Sequence, residues 1–144
     1  MLSPGERQML LDYMRTQRLA VVSSISADGA PQSALVGVAV TDDLEIVFDT
    51  VATSRKHKNL LSDGRAAVTF GGPGEQTLQL EGLARVVHAH DEGDGAYRET
   101  YYAAWPDGRD RRTWPNIAYW RITPMWVRYS DYDRGPLILE RTLG

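Results

Sequence analysis

Apolar and polar residues alternate with a period of two along most of this chain, and that period predicts strands. Leu19 to Ser26 is rich in β-branched residues and ends at Asp28-Gly29, a strong hairpin signal. Pro31 to Thr41 reads as the returning strand, with Gln32, Ala34, Val36, Val38 and Val40 on one face. Asp42-Asp43 makes the next turn, and Leu44 to Asp49 is a third strand carrying Leu44, Ile46 and Phe48. Arg65 to Gly71 is a fourth, with Ala66, Val68 and Phe70 sharing a face. Thr77 to Ala89 is a long fifth strand, in which Leu78, Leu80, Ala84 and Val86 alternate against Gln79, Glu81 and Arg85. Gly82 in its middle predicts a bulge or a sharp bend. Ile117 to Tyr129 is the sixth, and Pro124 marks an edge or bulge within it.

Helical spacing is confined to three short segments. Ser3-Pro4, followed by Glu6 and by Met9, Leu10, Tyr13 and Met14, predicts an amphipathic helix with Ser3 as N-cap and Pro4 as first helical residue. A second helix opens at Ser54-Arg55-Lys56-His57-Lys58, continues through Leu60 and Leu61 and stops near Asp63-Gly64. Asp91 to Ala104 places Tyr97, Tyr101 and Ala104 at helical spacing behind an acidic start. Trp105 to Pro115 is polar and irregular. The segment after Ser130 is weakly patterned, except that Leu137-Ile138-Leu139 suits a last strand or a surface that packs on a partner. Six strands with small helices predict a mainly β, closed or nearly closed antiparallel barrel in one domain, with its core over about 19–129 and a tail over 130–144. Leu19 to Ile25 and Gln32 to Val40 are apolar on both faces, more than one barrel interior uses. A second subunit is expected to cover part of the outside.

Composition narrows the function classes. The 144 residues suffice for a real core, and the net charge of −3 argues against a general nucleic-acid binder. There is no cysteine, which excludes disulfides, thiolate nucleophiles and cysteine metal sites and leaves the cytoplasm as the default compartment. No apolar run approaches the ~20 residues that cross a bilayer, so no membrane association is expected. Of the sixteen basic residues only Lys56 and Lys58 are lysines, and both lie in the second helix.

That helix is electrostatically unusual. Helix starts favour acidic residues, because exposed N–H groups and the macrodipole leave them partly positive. Here three fixed cations, Arg55, Lys56 and Lys58, occupy the first turn. Either the turn is simply solvated, or an anion such as a phosphate sits there against the free amides and hydroxyls.

The ordered set "LAVVSSISADGAPQSALV", "LEIVFDTVATSRKHKNLLSDGRAAVTF", "LQLEGLARVV" and "YWRITPMWVRY" resembles the FMN-binding split-barrel family related to pyridoxamine 5′-phosphate oxidase, over roughly Leu19 to Tyr129. The resemblance implies a six-stranded antiparallel split β-barrel of Greek-key type, and a homodimer with FMN at the subunit interface. It assigns Gln32, Ser33, Ala34, Leu35 and Val36 to the strand flanking phosphate and flavin, and Asp49 and Thr50 to the end of the third strand. Ser54, Arg55 and Lys56 match the family's phosphate-binding serine-arginine-lysine. Thr77 falls near the residue facing the flavin from the second subunit, and Trp126 and Arg128 match partner-chain contacts in the last strand. The true oxidases carry an arginine at the position of Gln32 and a lysine at that of Gly37. They also end in an arginine- and histidine-bearing substrate motif that is not found here.

The resemblance therefore implies an FMN-dependent oxidoreductase acting on a small molecule with a nicotinamide or other donor. The alternatives are a deazaflavin-dependent reductase and a non-enzymatic flavin or haem binder using the same cleft. His88 and His90 share one side of a strand, but without a third ligand they are expected to be surface residues, and no metal site is expected. Trp105, Trp114, Trp120 and Trp126 are core or interface candidates, with one or two available to a ligand. Arg109 to Arg112 reads as an exposed loop or as a lid over an anionic substrate.

Overall fold

The computed structural model describes residues 1–72, 74–88 and 91–144. The chain forms α1 (Pro4–Gln17), β1 (Leu19–Ile25), β2 (Pro31–Gly37), β3 (Ala39–Val40), β4 (Ile46–Val51), α2 (Arg55–Ser62), β5 (Arg65–Gly71) and β6 (Gln76–Val87). There follow α3 (Glu92–Ala104), α4 (Gly108–Arg111), β7 (Ile117–Asp131), a 3₁₀ turn (Tyr132–Arg134) and β8 (Leu137–Thr142). All strand pairs are antiparallel, in the order β2-β1-β5-β6-β7-β4-β3. The two ends of that path, β2 and β3, are consecutive in the chain. Curling the sheet until they meet makes a split barrel, with the non-sequential pairs β1·β5 and β4·β7 supplying its Greek-key crossings.

The described residues form eight strands where the periodicity predicts six. The returning strand divides at Val38, whose N–H still donates to Arg18 O at 2.9 Å in the β1·β2 register, while the next residue, Ala39, pairs with Val47 of β4. Residues on either side of the break therefore serve opposite ends of the sheet. The second extra strand is β8. Its partner β7 is 15 residues long, and no single neighbour on that edge spans it: β4 pairs with Ile117–Ile122 and β8 with Trp126–Asp131. Pairing, not hydropathy, makes residues 137–142 a strand. The third predicted strand begins two residues late, because Leu44 takes a positive φ of 65° to close the preceding turn.

The bend predicted at Gly82 is present as a register shift between Glu81 and Gly82, opposite Pro124. Gly82 is required there: a Cβ on it would lie 2.2 Å from Thr123 O. The interior is filled by alternate residues of each strand, among them Val22, Phe48, Val68, Phe70, Leu78, Leu80, Ile122 and Tyr129. Helix α1 adds Leu10, Leu11, Tyr13 and Met14, so the core extends beyond the barrel residues themselves. Its start is the predicted one. Ser3 accepts from Glu6 N–H, and the Glu6 side chain accepts from Ser3 N–H, satisfying two free amides reciprocally. Among the described residues no helix is long and apolar enough to cross a membrane.

Substituting Gly82→Ala forces β6 off Thr123, and is expected to lower stability by about 1–3 kcal/mol, the range for overpacking, with little change in the fold. Urea unfolding followed by circular dichroism checks it.

Candidate functional site

Strand alternation divides the sequence-predicted site residues between two faces of the sheet. On β2, Gln32, Ala34 and Val36 are half-buried and face the side covered by α2, whereas Ser33 and Leu35 face outward. Opposite them on β1, Ser24 pairs with Gln32 and Val22 with Ala34. Helix α2 packs against β1 and β2, and its start closes a cavity of about 150 Å³ lined by Val22, Ser24, Gln32, Ser33, Ala34, Arg55 and Lys56. The structure thus brings together three of the five β2 residues with Arg55 and Lys56.

The structure makes Ser54 the N-cap of this helix. Ser54 Oγ accepts from His57 N–H at 3.3 Å and shares a hydrogen bond with Thr50 Oγ1 at 2.9 Å. Thr50 and Ser54 therefore brace the turn from below and do not line the cavity. Among the described residues, neither Arg55 nor Lys56 has a carboxylate within 4.0 Å. No acidic residue stands in the first turn of α2. Burial lowers the pKa of Lys56 from its ordinary value, and the field of Asp49 acts the other way. A partly desolvated ammonium without a partner is poised to gain from an incoming anion.

Sequence reading missed Asn59. It is buried, and its Nδ2 donates both to Ser24 Oγ at 3.0 Å and to Gln32 Oε1 at 2.9 Å. With the Gln32 oxygen engaged, its amide nitrogen is the end left to donate into the cavity. The only signal was positional: Asn59 lies four residues after Arg55, on the same helical face. His57 faces inward, and Nδ1 accepts from the Trp120 indole N–H at 2.9 Å. That bond fixes the neutral imidazole with its proton on Nε2.

Asp49 and the 105–116 connection also differ from a simple cleft and loop. Both Asp49 oxygens are engaged, Oδ1 by Tyr101 OH at 2.9 Å and Oδ2 by Arg111 Nε at 2.8 Å. The segment expected as an exposed loop instead folds into α4, and Arg111 is drawn inward to this carboxylate. Burial would lower the Arg111 pKa, but the hydrogen bonds to Asp49 and Asp107 outweigh it and the net shift is upward. Trp105 packs on Gly37, where a Cβ would meet its ring at 2.7 Å, and donates to Val38 O. Its indole thus fills the room that a side chain at position 37 would need. Trp120 is in the core, while Trp114 is 52% exposed.

Thr77, Trp126 and Arg128 lie outward on β6 and β7, with Thr77 Oγ1 bonded to Ser130 Oγ at 3.0 Å and Arg128 paired with Glu140 at 2.7 Å. They do not line the cavity beside α2. β6 is three strand spacings from β2, roughly 14 Å. His88 is exposed, and His90 lies outside the described residues. Among the described residues no three His, Asp or Glu side chains converge as a metal would need.

The protein is a split barrel with a basic, serine-capped helix start set beside the half-buried face of its edge strand β2. The family model described as pyridoxamine 5′-phosphate oxidase matches residues 8–131, and the chain belongs to that family. It is 29% identical over 115 residues to the pyridoxine/pyridoxamine 5′-phosphate oxidase of Pseudomonas paraeruginosa, covering 75% of this chain and spanning about half (51%) of that relative. The fold is similar to that of a haem-binding protein from Mycobacterium smegmatis, with TM-score 0.82, 15% identity and coverage of 99% of this chain and 60% of that one. It is also similar to a pyridoxamine 5′-phosphate oxidase-related, FMN-binding protein from Nostoc punctiforme, with TM-score 0.68, 14% identity and coverage of 99% and 98%.

Burial holds the pKa of His57 below the ordinary imidazole value of 6.5. The unfolded chain therefore takes up this proton first, and stability should fall as pH drops through and below that value. Urea midpoints between about pH 7 and about pH 5 should decline less in His57→Gln than in the wild type.

Proposed function

We propose that this protein is an FMN-binding flavoprotein that works as a homodimer and transfers electrons to or from a small molecule. The observation carrying this reading is the cavity beside α2, with two unpartnered cations, Arg55 and Lys56, and the Gln32 amide around a space of about 150 Å³. Ligand pockets for whole cofactors run to ~300–1,000 Å³, so this space suits the phosphate end of FMN and not its ring system. FMN would supply the redox chemistry of its ring. The chain's part is to bind the phosphate, orient the ring and exclude water.

The ring needs a surface that one chain does not bring close to the phosphate cavity. Thr77, Trp126 and Arg128 form such a surface, but on outward faces of β6 and β7. A second copy bringing its β6–β7 face against the first copy's β2 and α2 would complete the site. The apolar outer face supports that arrangement. Leu35 is 67% exposed and stands opposite Val21, next to the exposed Leu19. Exposed aliphatic side chains grouped across paired strands favour an interface over water. With Gln32 and Gly37 in place of charged residues, Arg55 and Lys56 carry most of the phosphate's neutralisation.

Arg55→Ala and Lys56→Ala should each weaken FMN by ~1.5–3 kcal/mol, the range for hydrogen bonds to charged groups, while riboflavin changes little. Fluorescence titration with both flavins measures it, and equal losses for the two would remove the phosphate assignment. Titration with a deazaflavin coenzyme in parallel discriminates the nearest alternative. Leu35→Glu places a charge in the proposed interface, and sedimentation should then show a shift toward monomer together with weaker FMN binding.

A further inference from the structure

Asp49 is the difficulty in this site, and the following inference rests on the phosphate reading above. The residue after it, Thr50, is hydrogen-bonded to the N-cap Ser54, while strand alternation turns the Asp49 carboxylate to the opposite face, toward Tyr101 and Arg111, with its field still acting on Lys56. An uncompensated Asp49 would repel the ligand's charge and compete with it for Lys56. Arg111 prevents both. Its Nε donates to Asp49 Oδ2, its Nη2 donates to the Tyr101 hydroxyl at 2.9 Å, and that hydroxyl donates to Asp49 Oδ1. The side chains of Arg111 and Asp49 are 21% and 13% exposed, so solvent screens this pair less than a surface one. Asp49 on β4, Tyr101 on α3, and Asp107 and Arg111 in the connection to β7 form one hydrogen-bonded group, and the field of Asp49 reaches Lys56 on α2.

We propose that Arg111 is a positioning residue for the anion site, acting through Asp49: by neutralising that carboxylate it leaves Lys56 available to the ligand's phosphate. The charge balance makes the idea exacting. The Asp49–Arg111 pair is neutral, loss of the arginine leaves −1 behind the site, loss of the aspartate leaves +1, and loss of both is neutral again. A purely structural clip would behave otherwise, because each single loss would damage the site in the same direction.

Two measurements test it on the full chain. FMN and riboflavin are titrated into the wild type, Arg111→Gln, Asp49→Asn and the double variant. Arg111→Gln should weaken FMN roughly five- to twentyfold, the scale of one added charge at this range in a partly screened site. Asp49→Asn should tighten FMN, an outcome misfolding cannot produce, and the double variant should return toward the wild-type value. Riboflavin should change little throughout. Separately, the two lysines are labelled by reductive ¹³C-methylation in flavin-free protein, with Lys58→Arg assigning the signals. Lys56 should titrate at higher pH in Arg111→Gln, at lower pH in Asp49→Asn and near the wild-type value in the double variant. Single variants that shift FMN affinity or Lys56 in the same direction, or a double variant that stays with Arg111→Gln, would overturn the proposal. A wild-type chain that binds FMN no better than riboflavin would instead remove the phosphate reading, and the lysine titrations would still judge Arg111.

Discussion

Everything at the site depends on holding in place a helix whose first turn is electrostatically unfavourable. Helix α2 starts with cations where the dipole prefers acids, and at eight residues it is too short to be stable by itself. Tertiary contacts supply what propensity does not. Ser54 caps the first turn, Thr50 braces the cap, the Trp120 indole holds His57, and Leu60 enters the core. Asn59 then ties the same helix to β1 and β2 through Ser24 and Gln32. With the backbone pinned at these points, Arg55 and Lys56 have no ion-pair partner among the described residues and stay displayed beside the cavity.

The sheet provides the second constraint. Because the chain passes from β2 to β3 across Val38, the two ends of the sheet are joined by a single residue, and the strand beside α2 is an edge. Side-chain alternation then gives this edge two uses. Gln32 and Ala34 look into the cavity, while Ser33 and Leu35 look outward with Val21. Adjacent positions of this strand therefore present different side chains to the two surfaces, although Ser33 also borders the rim of the cavity. The long β7 works similarly, placing Tyr129 in the core and Trp126 and Arg128 on the outer face.

Charge is managed at a distance from the cavity. Asp49 on β4 is matched by Arg111 and Tyr101, and Glu45 just before β4 by Arg121, Tyr97 and Thr123, so both carboxylates are compensated inside the fold. In each case a tyrosine of α3 lies between sheet and helix, which is why α3 docks on the face where Tyr101, Tyr102 and Tyr119 meet edge to face. The net effect is a protein of modest negative charge with a small region of uncommitted positive charge at α2.

The sequence by itself determined six strand segments, the Asp28-Gly29 hairpin, the bend at Gly82, the Ser3 cap and the basic turn, because each depends on periodicity or on chemistry within a few residues. It also carried the family, through the order of those elements. Only the tertiary structure decided the break at Val38, the eighth strand, the inward turn of Arg111 and the roles of Asn59 and His57. These rest on partners that local pattern does not name, β4 for the residues after Val38, β7 for β8, Asp49 for Arg111, Gln32 for Asn59 and Trp120 for His57, and no local pattern encodes which distant group a backbone amide or polar side chain will meet.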